Sequence, residues 1–194
     1  MILASFTGAV GDVLSSETMY QSMLRFAIVL AFAAVGEWVA ERGGTLNISI
    51  EAMMIGGAFT AGVAFDRTDS TVLGLAVAVC AGIVVALMQA NLSHRLTVDQ
   101  FVVGLTLNIL VLGLALFLDS RYESVTSIAT EWRIPLLVDI PLVGEALFGQ
   151  SWPMYLIAPV VLLAWFVVFR TRWGLELRAA GENPQAADVS GIAV

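Results

Sequence analysis

The sequence predicts an all-α integral membrane protein with about five transmembrane helices, a short re-entrant or external element, and a small capped helix near its end. Three observations carry that reading. Of 194 residues, 59% are hydrophobic and the mean hydropathy is +0.89, values that a water-soluble domain could not easily keep in solution. Five apolar windows stand out, at 23–40, 46–65, 72–90, 101–118 and 154–169, each near the length that crosses a bilayer core as a helix. The third, "VLGLAVAVCAGIVVALMQA", carries no charge and no polar stripe, so it suits lipid better than a soluble core.

The first window ends in Glu37, Glu41 and Arg42, after which Gly43 and Gly44 supply a tight reversal. The second window opens on Asn47 and Glu51, four residues apart and therefore expected on one helical face in the first two turns of a span. A carboxylate there must face protein, water or a partner charge. Glu51 either caps the turn, pairs with Arg42, or serves a moving solute or ion. The small residues of "MMIGGAFTAG" allow close helix approach and read as packing.

Cys80 lies in the third window and reads as a small packing residue; as the only cysteine it allows no intrachain disulfide. His94 stands alone in a short polar connection and reads as a solvated or interfacial side chain. At the fourth window Asp99 and Gln100 mark the start, and Gly104 and Asn108 share a face. Asn108, about two turns in, needs an interhelical hydrogen bond or a wet cavity. Thr106 points elsewhere and can bond back to its own helix. Before the fifth window, "IPLLVDIPLVGEALFG" is apolar but interrupted by Pro135, Asp139, Pro141 and Glu145, which favours a re-entrant or surface-lying element over a span.

Charge excludes several classes of function. The net charge is −7 and the nine basic residues form no patch, so nucleic acid is set aside. All nine are arginines, and without lysine there is no standard phosphate-binding P-loop and no Schiff-base chemistry. No nucleophile–base pair or metal-ligand spacing appears, so no catalytic residue and no metal site is assigned. Three of the arginines crowd "FRTRWGLELR" beside the end of the fifth window, which places the N-terminus outside and the tail in the cytoplasm. In that tail Asn183 is a natural N-cap, Pro184 fits the first helical position, Ala186 and Ala187 favour helix, and Gly191 is a natural stop.

Three stretches together resemble the inner-membrane permease subunit of binding-protein-dependent ABC importers of the ribose and branched-chain amino acid type, most of all its nucleoside branch: "ERGGTLNISIEAMMIGGAF", "VDQFVVGLTLN" and "TRWGLELRAAGENPQAADVSGI". The last is the most specific, with Gly174, Leu177, Arg178, Gly181, Glu182, Asn183, Pro184, Ala186, Ala187 and Gly191 in register with the loop that precedes the family's coupling helix. The first departs from the branch at Gly43, Thr45, Ser49 and Ala52, the last two in place of glycine, which is expected to alter packing near Met53.

The resemblance implies a single permease domain over residues 1–194 whose coupling loop, 171–192, docks on a separate ATPase. ATP and Mg would be held by that ATPase, with no cofactor on this chain. It further implies a second permease subunit, an external solute-binding protein, a bacterial or archaeal plasma membrane, and a nucleoside or related sugar-containing solute. Family members continue into further spans, so the chain is expected to be an incomplete permease. Asn108 and Gly104, then Asn47 and Glu51, are the candidates for the solute path. The competing expectation is an ion-coupled secondary transporter or channel with Glu51 as its coupling site.

Overall fold

A computed structural model of the chain describes residues 15–121, 137–140 and 144–192, and among these the secondary structure is helical. In chain order the helices are α1 (Glu17–Arg42), α2 (Ile50–Thr68), α3 (Thr71–Ala90, continued by a π turn, Asn91–Arg95) and α4 (Gln100–Asp119). They are followed by α5 (Gly144–Phe148), a 3₁₀ turn (Trp152–Leu156) leading into α6 (Ile157–Arg170), α7 (Arg172–Glu182) and α8 (Pro184–Val189).

Four helical stretches are long and apolar enough to cross a membrane: Glu17–Arg42, Thr71–Arg95, Gln100–Asp119 and Trp152–Arg170. They match four of the five windows, and the chain is a multi-pass membrane protein. The window at 46–65 is not among them as a helix by itself. Its helix starts only at Ile50 and carries Glu51, Asp66 and Arg67 within 19 residues. The uncharged middle, 52–65, rises roughly 21 Å, short of a hydrocarbon core of about 30 Å. The missing length lies in the irregular connector 43–49, whose backbone is bonded to neighbouring side chains rather than to a helix of its own.

The residues fall into two compact units. The first comprises Met1–Val35 and Ala129–Ala164; the second Gly36–Ile128 and Trp165–Val194. In the first, Arg25 of α1 donates from Nε to Oε1 of Gln150 at 3.0 Å. Gln150 is 1% exposed, and its amide nitrogen donates to the Ala146 carbonyl at 2.9 Å. Tyr155 closes the corner: its hydroxyl accepts from the Gln150 N–H and donates to the Leu147 carbonyl. An arginine within an apolar helix is thus given a hydrogen-bond acceptor by an amide of the α5 loop. The interrupted stretch 134–149 falls partly outside the described residues; its described part contains the short helix α5.

The second unit is built on α2, α3 and α4. A two-residue connection, Asp69 in the left-handed region (φ 51°) and Ser70 as N-cap of α3, folds α3 back along α2. Adjacent glycines then serve two neighbours: a Cβ on Gly57 would lie 3.5 Å from the Ala78 carbonyl of α3, and one on Gly56 would lie 3.3 Å from Val111 of α4. Gly74 returns the contact against Ala61 of α2 at 3.1 Å. Small residues thus set the spacing, as "MMIGGAFTAG" suggests. Ala52, Val85, Val103 and Leu107 form the buried cluster, flanked by Met53, Leu92 and Val111. Ser49 and Ala52, which stand where the branch has glycine, are both fully buried. Cys80 is exposed on α3 and is not part of the buried cluster among the described residues.

α4 comes close to the chain before α2 at Gly104, where an added Cβ would run into Ile48 Cβ and come within 2.8 Å of its Cγ2. Gly104→Ala should cost about 1–3 kcal/mol of stability through overpacking. Gly113→Ala, on the same helix with open space around it, should stay within about 0.5 kcal/mol. Unfolding midpoints of the two variants in detergent micelles check the difference.

Candidate functional site

Two clusters gather the sequence-predicted residues, both in the second unit. The first surrounds the connector 43–49. Its turn begins with Gly43 and Gly44 donating to the Ala40 and Glu41 carbonyls, and Gly44 sits at φ +77°, the left-handed region that glycine enters freely. Beyond the turn, backbone groups find partners on three different helices. Leu46 N–H donates to Gln100 Oε1 of α4 at 3.0 Å. Asn47 N–H donates to both carboxylate oxygens of Glu37 of α1 at 3.2 Å. Gln89 of α3 spans the connector, accepting from Ser49 N–H at 3.1 Å and donating to the Leu46 carbonyl at 3.1 Å.

Asn108 completes the set. Its Oδ1 accepts from Ala52 N–H at 2.9 Å and its Nδ2 donates to the Ile48 carbonyl at 3.0 Å. Ala52 is in the first turn of α2, where backbone N–H groups have no intrahelical acceptor, and Ser49 supplies no side-chain cap. An amide from another helix therefore caps α2. Gly104, one turn before Asn108, lets Ile48 come close enough for these bonds to form.

These placements correct two expectations. Asn47 is not on a helix with Glu51: the connector's backbone is held by side chains up to Ser49, so α2 begins only at Ile50. Nor does Glu51 serve the turn; Glu37 does. Glu51 is exposed and, among the described residues, makes no hydrogen bond or ion pair, with Arg42 or otherwise. Asn108 and Gly104 join α4 to the connector, the interhelical use of such residues. Thr106 bonds back to the Val102 carbonyl at 2.7 Å, and Asp99 caps α4 through Phe101 and Val102 N–H. Sequence reading missed Glu37, Gln89 and Gln100 as connector ligands; the signal available was an acid and two amides at the ends of apolar helices. A cavity of about 150 Å³ lies beside the connector, lined by Thr45, Asn47, Gln89, Ser93, His94 and Gln100 among others.

The second cluster is the tail. Thr171 caps α7 by accepting from Gly174 N–H at 3.1 Å, and an added Cβ at Gly174 would strike the Val167 and Val168 carbonyls, so α7 lies tight against the end of α6. The basic stretch after the last span is thus helical as far as Glu182. Asn183 then caps α8, its Oδ1 accepting from Ala186 N–H at 3.0 Å, with Pro184 in the first helical position. At the other end Gly191 (φ +85°) donates to the Asp188 carbonyl and Ile192 to the Ala187 carbonyl, a Schellman closure. Only Ala187 of α8 is buried, at 4% exposure, while Val189 is 89% exposed.

The two clusters touch. Gly181 of α7 lies against Gly44 of the turn, and Gly43 against Leu177. Beside the contact is a cavity of about 300 Å³ ringed by Glu41, Arg42, Arg178, Gly181 and Glu182. Arg178 also stacks over Phe169 at 5.1 Å and donates to the Gly174 carbonyl at 3.3 Å.

Comparison with known proteins places the chain in a family. A family model described as "branched-chain amino acid transport system / permease component" matches residues 19–194. The nucleoside ABC transporter permease protein NupC of Lactococcus lactis is 36% identical over 186 residues, covering 89% of this chain and 58% of its own length. The guanosine ABC transporter permease protein NupQ of Bacillus subtilis is 34% identical, covering 88% of this chain and 58% of its own length. A putative glucose ABC transporter permease protein of Haloferax volcanii is 35% identical, with coverage of 91% and 55%. The chain thus spans a little over half the length of these relatives. No solved structure matches it.

Asn108→Leu should destabilise the protein by about 1–2 kcal/mol, because Ala52 N–H and the Ile48 carbonyl lose their partner together. Asn108→Asp keeps the acceptor for Ala52 but sets a second carboxylate oxygen against the Ile48 carbonyl, so it should be destabilised as well. Denaturation in mixed micelles orders the three proteins; equal midpoints for Leu and wild type would remove Asn108 from the framework.

Proposed function

The chain belongs to the branched-chain amino acid transport system permease family, and from that premise we propose that it forms the solute path of an ABC importer for nucleosides or related sugar-containing solutes. The observation that carries the reading is the tail. A six-residue helix, capped at both ends and held to the chain through one buried alanine, presents the rest of its surface outward. That is the form of a part shaped to enter a groove on another protein. The solute class is supported by the nucleoside and guanosine relatives.

In this reading α8 docks into a separate ATPase subunit at the cytoplasmic side, where Arg170, Arg172 and Arg178 lie. ATP and Mg are held by that subunit. A second permease subunit and an external binding protein complete the importer, in a bacterial or archaeal plasma membrane with the N-terminus outside. Asn108, Gly104 and Asn47 act on the path indirectly, by holding the connector. Glu51 touches it directly. Ala52 is bonded to Asn108, eight residues or roughly 12 Å of helix rise beyond Gln100, so the exposed carboxylate beside it lies deep in the helix layer, where it needs water, protein or solute rather than lipid.

Two measurements test this. Pro184→Gly with Ala187→Asp, which removes the preset first turn and forces a charge into the one buried site of α8, should abolish capture of the ATPase subunit by the full-length permease in membranes. Capture indifferent to the change would refute the docking role. Glu51→Leu should suppress nucleoside uptake by the assembled importer while leaving ATPase capture intact, whereas unchanged uptake would take Glu51 off the path.

A further inference from the structure

We infer that the backbone contact between the Gly43–Gly44 turn and Gly181 is the point at which movement of the tail is passed to the membrane helices, with Gly44 and Gly181 as positioning residues. The inference rests on the proposed reading of α8 as the ATPase-docking helix. It adds where, and by what physical means, that docking is felt.

The contact has almost no side chain in it. A Cβ on Gly44 would lie 2.9 Å from Gly181 Cα and 3.2 Å from its carbonyl oxygen. A Cβ on Gly181 would strike the Arg42 carbonyl and lie 2.7 Å from Gly44 N. Main chain therefore rests on main chain. A contact through long side chains would absorb a displacement of an ångström by changing rotamers, whereas close-packed backbone passes it on.

On the tail side, α7 and α8 are joined only by Asn183, which caps α8 and whose N–H bonds the Ala179 carbonyl of α7, so the two short helices share one junction. Gly181 lies two residues before that junction. On the membrane side, Gly44 leads straight into Leu46, Asn47, Ile48 and Ser49. These residues are bonded to Gln100, Glu37, Asn108 and Gln89, so the connector grips α1, α3 and α4 and begins α2. A push on Gly44 thus reaches four helices through one short segment of backbone. The cavity ringed by Glu41, Arg42, Arg178 and Glu182 leaves open space beside the contact.

The test uses the full-length permease assembled with its ATPase subunit and reconstituted into lipid vesicles, reading ATPase capture, ATP hydrolysis and solute uptake. Gly44→Ala and Gly181→Ala should retain capture and hydrolysis but lower uptake per ATP about 5- to 150-fold, the range of an ordinary coupling free energy. Gly113→Ala is the control: its added Cβ meets nothing within 4 Å, it lies outside both the tail and the connector, and it should keep uptake per ATP near that of the unaltered protein. Unchanged uptake per ATP in both test variants would overturn the inference while leaving the docking reading in place. Failure of the unaltered permease to capture the ATPase would remove that reading and the inference with it.

Should the alanine variants not reach the membrane, Gly43→Cys with Leu177→Cys in a Cys80→Ser background decides the matter. Bridging the two cysteines should leave uptake running, since the turn and α7 move together. Uptake stopped by the bridge and restored by reductant would show that the surfaces must part, and would overturn the inference.

Discussion

The structure depends on one constraint: the backbone of residues 45–49 is not helical, lies among apolar helices, and must still have its N–H and C=O groups bonded. In a membrane such a segment is tolerated only where protein supplies the partners. Here Glu37, Gln89, Gln100 and Asn108 do so, from α1, α3 and α4. The same bonds fix helix positions, because each side chain can reach the connector only if its helix stands at the right distance and rotation. Polar satisfaction and tertiary packing are thus a single requirement. Gly104 makes the geometry possible by letting Ile48 sit against α4, and the buried cluster of Ala52, Val103 and Leu107 fills the space next to it.

From this follows the short length of α2. A segment that enters the helix layer as irregular chain needs fewer helical residues to reach the far side, so Glu51 can occupy the first turn and Asp66 and Arg67 the last. The start of α2 is capped by Asn108 rather than by its own preceding residue. A helix start held in this way is tied to another helix and is displaced whenever that helix moves.

Much of the fold was legible in the sequence because lipid imposes a simple rule. The windows at 23–40, 72–90, 101–118 and 154–169 are mostly apolar, and each became a helix, the first of them extended at its start to Glu17. The tail was legible for a different reason: Asn183, Pro184 and Gly191 are local signals whose effect depends on backbone chemistry within a few residues, and all three occupy the expected positions. The connector was not legible. Whether Asn47 starts a helix is decided by Glu37, ten residues earlier, and by Gln89 and Gln100, more than forty later. Hydropathy counts those residues as minor interruptions, and helical periodicity placed Asn47 and Glu51 on a face that never forms. Cys80 shows the same limit, since a small side chain in an apolar run carries no mark of which way it faces.

The two kinds of legibility meet at Gly43 and Gly44. Read locally they are a turn, which they are, with Gly44 at φ +77°. Read with the tail they are also a seat for α7, because a side chain at Gly44 would exclude Gly181. One pair of glycines thus meets a conformational demand and a spatial one, and the second becomes visible only when residues more than 130 positions apart are brought together. That double demand explains why a reversal so near the membrane helices is built from glycine rather than from proline and asparagine, which also turn a chain. Those residues could make the turn, but they would hold the tail off the backbone that carries the connector.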